Sequence, residues 1–257
     1  MRVYVTGASG FVGSHLVPAL RAAGHEPSAA LAGSGAVVHL ANIAHTLASP
    51  RELHRVNVEG TLAQAQAALA AGVRRFVYLS SLKAERPDDA YGQSKRVAEL
   101  GLLGLGGLDP VILRPPLVYG PRVKANFLAL LRAVDRGWPL PLASVRNRRS
   151  LLYVGNLADA ILRSLETTAT GRAFALSDGA PVSTPELCRA IGNALDRPVR
   201  LFPCPPALLK AVPRLARLVE SLEADDAPIR EALGWRAPVA FAEGLRLTAA
   251  WYRGRGG

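Results

Sequence analysis

Cysteine is nearly missing from these 257 residues: Cys188 and Cys204 are the only two, too few for a disulfide framework or a thiolate metal cluster. Aromatic residues make up 6% of the chain and do not interleave with the arginines, which argues against a surface that stacks nucleic-acid bases. Long apolar runs are lacking as well. The charge-free run with most membrane character, Leu100 to Leu108, falls far short of the roughly 20 residues of a spanning helix. A secretory leader is not expected, because a strand pattern already begins at Arg2, and the expected compartment is the cytoplasm. Lysine is scarce too. Only Lys83, Lys95, Lys124 and Lys210 belong to the 31 basic residues behind the net charge of +11. So arginine-rich and alanine-rich a chain fits a GC-rich genome as well as a demand for anionic partners such as phosphates. The one tight basic knot is Arg146, Arg148 and Arg149. With 49% hydrophobic and 20% charged residues, the chain can build an ordinary globular core.

What is present begins at once. Arg2-Val3-Tyr4-Val5-Thr6 has strand composition, and Gly7, Gly10 and Gly13 follow in G-x-x-G-x-x-G spacing. Ser14 to Leu20 then carries apolar residues at helical spacing, with Gly24 as a stop. Strand, glycine turn and helix start form a phosphate cradle, since glycine lets the backbone approach and free helix N–H groups face the anion. About 20 residues further on, a dinucleotide site wants a strand ending in a residue that reads the adenosine ribose. The window Ser28 to Gly35 has no acidic or basic residue, and eleven residues between Gly24 and the buried strand Ala36 to Ala41 leave no room for a strand–helix–strand unit.

Glu52 to Ala71 reads as a helix, with Val56, Leu62, Ala65 and Leu69 inward. Arg75 to Ser81 reads as a strand ending in two serines, and Tyr91-Gly92-Gln93-Ser94-Lys95 opens another helix. The Y-x-x-x-K spacing places both side chains on one helical face. A phenol is a poor base at neutral pH, and a neighbouring ammonium favours its phenolate. A serine at the adjacent strand end can hold the substrate oxygen that exchanges the proton. His39 and His45 lack metal-like partner spacing and are expected to serve packing or local hydrogen bonds.

These motifs resemble an extended short-chain dehydrogenase/reductase of the NAD-dependent epimerase/dehydratase group. The resemblance is carried by Thr6 to Gly13, Val38 to Ala41, Val56 to Thr61, Leu79 to Ser81, Tyr91 to Lys95, Leu113 to Pro121, Arg149 to Ala160 and Leu233 to Trp235. It implies an α/β, Rossmann-type doubly wound parallel sheet, with a small C-terminal α/β substrate lobe. Residues 1–123 would bind NAD, joined by 150–166, and 124–149 with 167–257 would form the lobe. Within the group it is most similar to enzymes acting as UDP-glucose or UDP-N-acetylglucosamine 4-epimerases and 4-keto reductases of polysaccharide biosynthesis. The implied catalytic set is Ser81, Tyr91 and Lys95. Gly7, Ser9, Gly10, Phe11, Val12, Leu40, Ala41, Asn57, Tyr91, Lys95 and Pro115 would line the cofactor site, and Asn126, Arg149 and Asp225 would contact a UDP-linked nucleotide sugar. NAD is the implied cofactor, with NADP left open by the missing ribose reader; a homodimer and no nucleic-acid partner are implied. A 4,6-dehydratase would want an Asp-Glu pair after the serine, where this chain has Leu82-Lys83. From a different class, a non-catalytic cofactor-binding scaffold would share the fold.

The sequence departs from the group near 25–36, 83–90 and 102–108, each shorter than usual. Either the chain is compacted there or interior segments are left out; unpaired edges in a parallel sheet would favour the second. Beyond Lys124, Asn126 to Arg136 reads as a helix with Phe127, Leu130, Leu131 and Val134 inward. The arginine knot precedes the strand Ser150 to Tyr153, as suits diphosphate recognition. Ala173 to Ser177, a helix capped by Ser183 or Thr184, and Val199 to Phe202 are assigned to the lobe. Pro205 to Val219 has the pattern of a basic amphipathic helix broken by Pro213. Cover for the cleft is its expected role, and contact with a membrane surface is the secondary one.

Overall fold

The computed structural model describes residues 1–43 and 48–254; His45 lies outside the described residues. In chain order the first half holds β1 (Arg2–Thr6), α1 (Gly13–Ala22), β2 (Glu26–Ser28), β3 (Ala36–His39), α2 (Pro50–Leu53), α3 (Gly60–Ala70), β4 (Arg75–Leu79), α4 (Ala90–Leu103), β5 (Asp109–Arg114) and β6 (Leu117–Tyr119). The second half holds α5 (Ala125–Asp135), β7 (Leu151–Tyr153), α6 (Val154–Glu166), β8 (Arg172–Ala175), α7 (Thr184–Leu195), α8 (Pro206–Lys210), α9 (Pro213–Val219), α10 (Ala227–Leu233) and α11 (Phe241–Arg253). Two units result, one of residues 1–116, 155–176 and 225–236, the other of 117–154, 177–224 and 237–257.

The first unit is built on a six-stranded sheet in the order β2-β1-β3-β4-β5-β8, and every pairing in it is parallel. Val3, Val5, Val37, Val38, Phe76, Val77, Ile112 and Leu113 are buried, as strands covered on both faces require. The order reverses at β1, so the carboxyl ends of β1 and β3 border the crevice where such sheets bind ligands. This is the expected Rossmann-type sheet with one flank trimmed. Residues 25–36 form a three-residue edge strand and a turn. Glu26 N donates to Met1 O at 2.9 Å and Gly35 N to Arg2 O at 2.9 Å, and no helix intervenes. With β1 paired to β2 on one side and to β3 on the other, β2 forms this edge of the sheet.

The helix expected from Glu52 to Ala71 spans Pro50 to Ala70, but its centre, His54–Glu59, is wound with i→i+5 bonds. Ser49 and Glu52 close a capping box at its start. Four segments differ from the sequence reading: residues 117–123 and 150–154 belong to the second unit, and 167–176 and 225–236 to the first. Arg172–Ala175, assigned to the lobe, pairs with β5, and residues 225–236 also belong to the first unit, where Trp235 Nε1 donates to Asp159 at 2.9 Å. A four-residue strand carries no mark of which sheet it joins; its partner decides.

In the second unit, β6 and β7 pair in parallel. Phe127, Leu130, Leu131 and Val134 of α5 are buried, as expected. The α7 start is capped by Ser183, with Glu186 completing a capping box. Val199 to Phe202 is not a strand; a single bridge joins Leu201 to Leu140. The helical pattern over Pro205 to Val219 is interrupted at Pro213 as expected and forms two short helices, because proline cannot donate into a preceding turn.

Candidate active site

The glycine turn forms what its spacing demands. Gly7 has φ +69°, and a Cβ there would lie 2.9 Å from Ala41 N, so the backbones of β1 and β3 approach through it. A Cβ on Gly13 would fall 2.4 Å from Gly7 O, which brings α1 down onto the turn. No side chain caps the α1 N-terminus, and its first turn has no acidic residue. Ser9 and Gly10 are exposed, and Phe11 and Val12 half-buried, at its mouth. A cradle that a methyl group would fill, below an uncapped helix start, fits a dinucleotide diphosphate.

Leu40 and Ala41 are held beside the cradle by a buried polar chain. Ala41 N donates to Thr6 Oγ1 at 3.2 Å. Thr61 Oγ1 donates to Asn57 O at 2.8 Å, leaving its lone pairs for His39 Nε2 at 3.2 Å. His39 is therefore the Nε2–H tautomer, and the Thr6 hydroxyl donates to its Nδ1 at 2.9 Å. Burial, aided by the charge of Lys95, pushes His39 down to about 3, so the ring stays neutral. His39 thus serves local hydrogen bonding, as expected.

At the end of β4 the two serines take different parts. Ser80 is buried and donates to Glu99 Oε1 at 2.5 Å. Ser81 caps the following turn by accepting from Lys83 N at 3.3 Å and hydrogen-bonds the Tyr91 phenol. Tyr91 stands in the first turn of α4, started by Asp89, whose carboxylate accepts from Gly92 N at 2.7 Å and pairs with Lys83. Lys95, one turn on, is fully buried; its Nζ donates to Leu79 O at 2.9 Å and sits 6.0 Å from the Tyr91 ring centroid. Burial pushes Lys95 down to about 7, against the opposing field of Glu99. Burial also pushes Tyr91 up to about 12; the Ser81 hydrogen bond opposes this and Asp89 adds to it. In the protein alone, Ser81 is the group that lowers Tyr91, and burial weakens the Lys95 ammonium.

Glu99, a further turn along α4, escaped the sequence reading. It is fully buried, yet its two oxygens accept from Arg114 Nε at 2.9 Å and Nη2 at 2.6 Å. This bidentate pair with Ser80 locks the β4 end, the β5 end and α4 together. Its signal was available as an acid at i+4 from Lys95.

The family model described as NAD dependent epimerase/dehydratase family matches residues 3–33 and 28–176. A UDP-glucose 4-epimerase of Vibrio cholerae is 34% identical over 308 residues, covering 96% of this chain and 94% of the relative. The chain belongs to the NAD-dependent epimerase/dehydratase family. The family model matches in two pieces that meet at 28–33, where the trimmed flank lies, and the 308-residue alignment exceeds the chain's own length. A ceramide reductase of Caulobacter vibrioides is 28% identical, covering 99% of this chain and 95% of the relative. Among solved structures, Thermus thermophilus UDP-glucose 4-epimerase in complex with NAD superposes with a TM-score of 0.80 at 26% identity, covering 99% of each chain.

Asn57 is buried in the i→i+5 turn and its amide is spent on protein: Oδ1 accepts from Ile43 N at 2.9 Å, and Nδ2 donates to Ile43 O at 3.2 Å and Ser94 Oγ at 3.1 Å. It braces the β3 exit against α4. Pro115 is buried beside the serines, its carbonyl accepting from Leu82 N at 2.9 Å. In the second unit, Arg149 borders a cavity of about 290 Å³ with Asp178, Val182 and Phe241. Its guanidinium donates to the carbonyls of Arg217 and Glu220, and burial lowers its pKa. Arg148 pairs with Glu223 at 2.9 Å and Arg146 is exposed, so the basic knot is partly spent inside the lobe. Asn126 is exposed in the first turn of α5. Asp225 belongs to the first unit and accepts from Ala227 N at 3.0 Å ahead of α10.

Proposed function

We propose that this chain interconverts C4 epimers of a UDP-linked hexose or N-acetylhexosamine with NAD. The observation that carries the reading is the convergence of Ser81 and Lys95 on Tyr91. Tyr91 as phenolate takes the proton of the C4 hydroxyl, Ser81 hydrogen-bonds the same oxygen, and Lys95 holds the nicotinamide ribose. Bound NAD supplies the acceptor for the C4 hydride, its return to the opposite face, and a cationic ring whose field favours the phenolate. Gly7, Gly10 and the α1 start hold the cofactor diphosphate, with Leu40 and Ala41 alongside. Elimination across C5 and C6 is disfavoured, since Leu82 is buried and Lys83 is paired with Asp89.

We assign the chain to the cytoplasm and to polysaccharide assembly; among the described residues no helix is long and apolar enough to cross a membrane. A homodimer is supported by α4, whose Val97, Leu100 and Leu103 are exposed, and by the small exposed Ala63 and Ala67 of the adjoining α3. Reduction of a 4-keto sugar is the second reading, favoured by the relative named as a reductase. Incubation with UDP-N-acetylglucosamine and UDP-glucose, with and without NAD, followed by sugar analysis, separates them. Epimers without net cofactor change support the epimerase. Oxidation of reduced cofactor only with a 4-keto sugar contradicts it.

A further inference from the structure

We infer that the second unit carries a docking surface for an anionic lipid membrane. Between Asp196 and Glu220 the sequence has no acidic residue, while Arg197, Arg200, Lys210, Arg214 and Arg217 stand there. Five prolines, at 198, 203, 205, 206 and 213, prevent this stretch from forming one long helix. It folds instead as a bridge at Leu201 and the short α8 and α9. Leu209 anchors α8 by being buried, whereas Leu208 is 63% exposed and Val212 and Phe202 are each 45% exposed. Trp138, 54% exposed, is brought to the same stretch: Leu140 N donates to Arg200 O at 2.9 Å, and Phe202 N to Leu140 O at 3.0 Å. The Arg136 guanidinium lies 5.3 Å from the Trp138 ring centroid.

Two aromatics and two aliphatics held in water are costly unless something covers them, and the charge around them says what does. Arg197 pairs with Asp135 at 3.3 Å. Arg200 and Lys210 are exposed and make no ion pair among the described residues. Exposed Phe, Leu and Val side chains along one acid-free, cation-bearing stretch, with Trp138 next to the segment bridged to it, suit the headgroup–acyl boundary of an anionic bilayer, where ring and aliphatic side chains enter and basic groups stay at the phosphates. Duplex phosphates would use the cations but gain little from Leu208 and Val212. This inference is independent of which sugar is turned over.

The test uses the chain with vesicles of phosphatidylcholine alone and of phosphatidylcholine mixed with phosphatidylglycerol. Co-sedimentation with the mixed vesicles should exceed that with neutral ones by about tenfold or more and should fall with added salt. Trp138 fluorescence should shift to the blue on binding, and the shift should vanish in Trp138→Phe. Arg200→Glu with Lys210→Glu should reduce partition by about fivefold or more per charge, and Phe202→Ser with Leu208→Ser by about tenfold, with melting temperatures unchanged in both pairs. Equal binding to both vesicle types overturns the proposal. So does lipid binding that survives loss of Phe202 and Leu208, which would be nonspecific charge. A change in molecular mass on losing those two side chains, without effect on vesicle binding, would assign the patch to a second copy of this chain instead.

Discussion

The two flanks of the first unit's sheet are built to very different standards. On one side, the ends of β4 and β5 and the start of α4 are tied by Ser80, Glu99 and Arg114, all buried or half-buried. Thr6, His39, Thr61 and Asn57 extend the bracing to the cradle. On the other side, β2 is three residues long and runs into the exposed Ala29 and Ala30, where Ser28 Oγ donates to Ala30 O at 2.8 Å. The flank that bears the chemistry is over-determined, and the flank that would read adenosine is reduced to a turn. The tied flank carries Ser81, Tyr91 and Lys95, and the other has no charged side chain from Ser28 to Gly35.

The largest effect that tests this contrast belongs to Tyr91→Phe, which should lower epimerisation about 10³-fold with NAD affinity and melting temperature unchanged. Parent-like turnover would remove Tyr91 from the chemistry. Lys95→Met should cost about 10²-fold in kcat yet raise stability. Lys95 is held at about 7 against its ordinary 10.5, so the unfolded chain binds the extra proton between those values. The stability associated with neutral Lys95 is full above 10.5 and lost as pH falls through 7. The gain on substitution should therefore be about 2 kcal/mol or more below about pH 7 and fade toward about pH 10, as read from melting temperatures across pH. Gly7→Ala, strained at φ +69° and crowding Ala41 N, should destabilise by about 1–3 kcal/mol and weaken NAD in calorimetry.

His39 gives an acid-side test. It is held at about 3 against an ordinary 6.5, so its contribution is full above 6.5 and drains as pH falls toward 3. His39→Asn should start less stable and then lose less between about pH 6.5 and about pH 4 than the parent does. The smallest effect is expected on the trimmed flank: NADP should bind within about tenfold of NAD. A discrimination of about a thousandfold would mean that a ribose reader exists after all.

The strand, glycine turn and helix start, and Tyr91 with Lys95, were legible because their signals are local: a spacing in the chain is a spacing in space. The inward face of α5 was legible for the same reason. The sheet membership of Arg172–Ala175 was not, since only β5 decides it. The pairing of Glu99 with Arg114 and Ser80 joins residues whose partnership no local period encodes. The fall of Lys95 and rise of Tyr91 depend on burial, which motif spacing does not report. Over Pro205 to Val219 the apolar period and the break at Pro213 were both legible, and α8 and α9 are the two pieces.

The central claim is that hydride leaves C4 of the sugar and returns to it inside one pocket. It is tested most directly with UDP-N-acetylglucosamine deuterated at C4, turned over in the presence of unlabelled reduced cofactor. The account predicts that the epimer formed keeps its deuterium at C4. Loss of the label to solvent or to the free cofactor pool would contradict it.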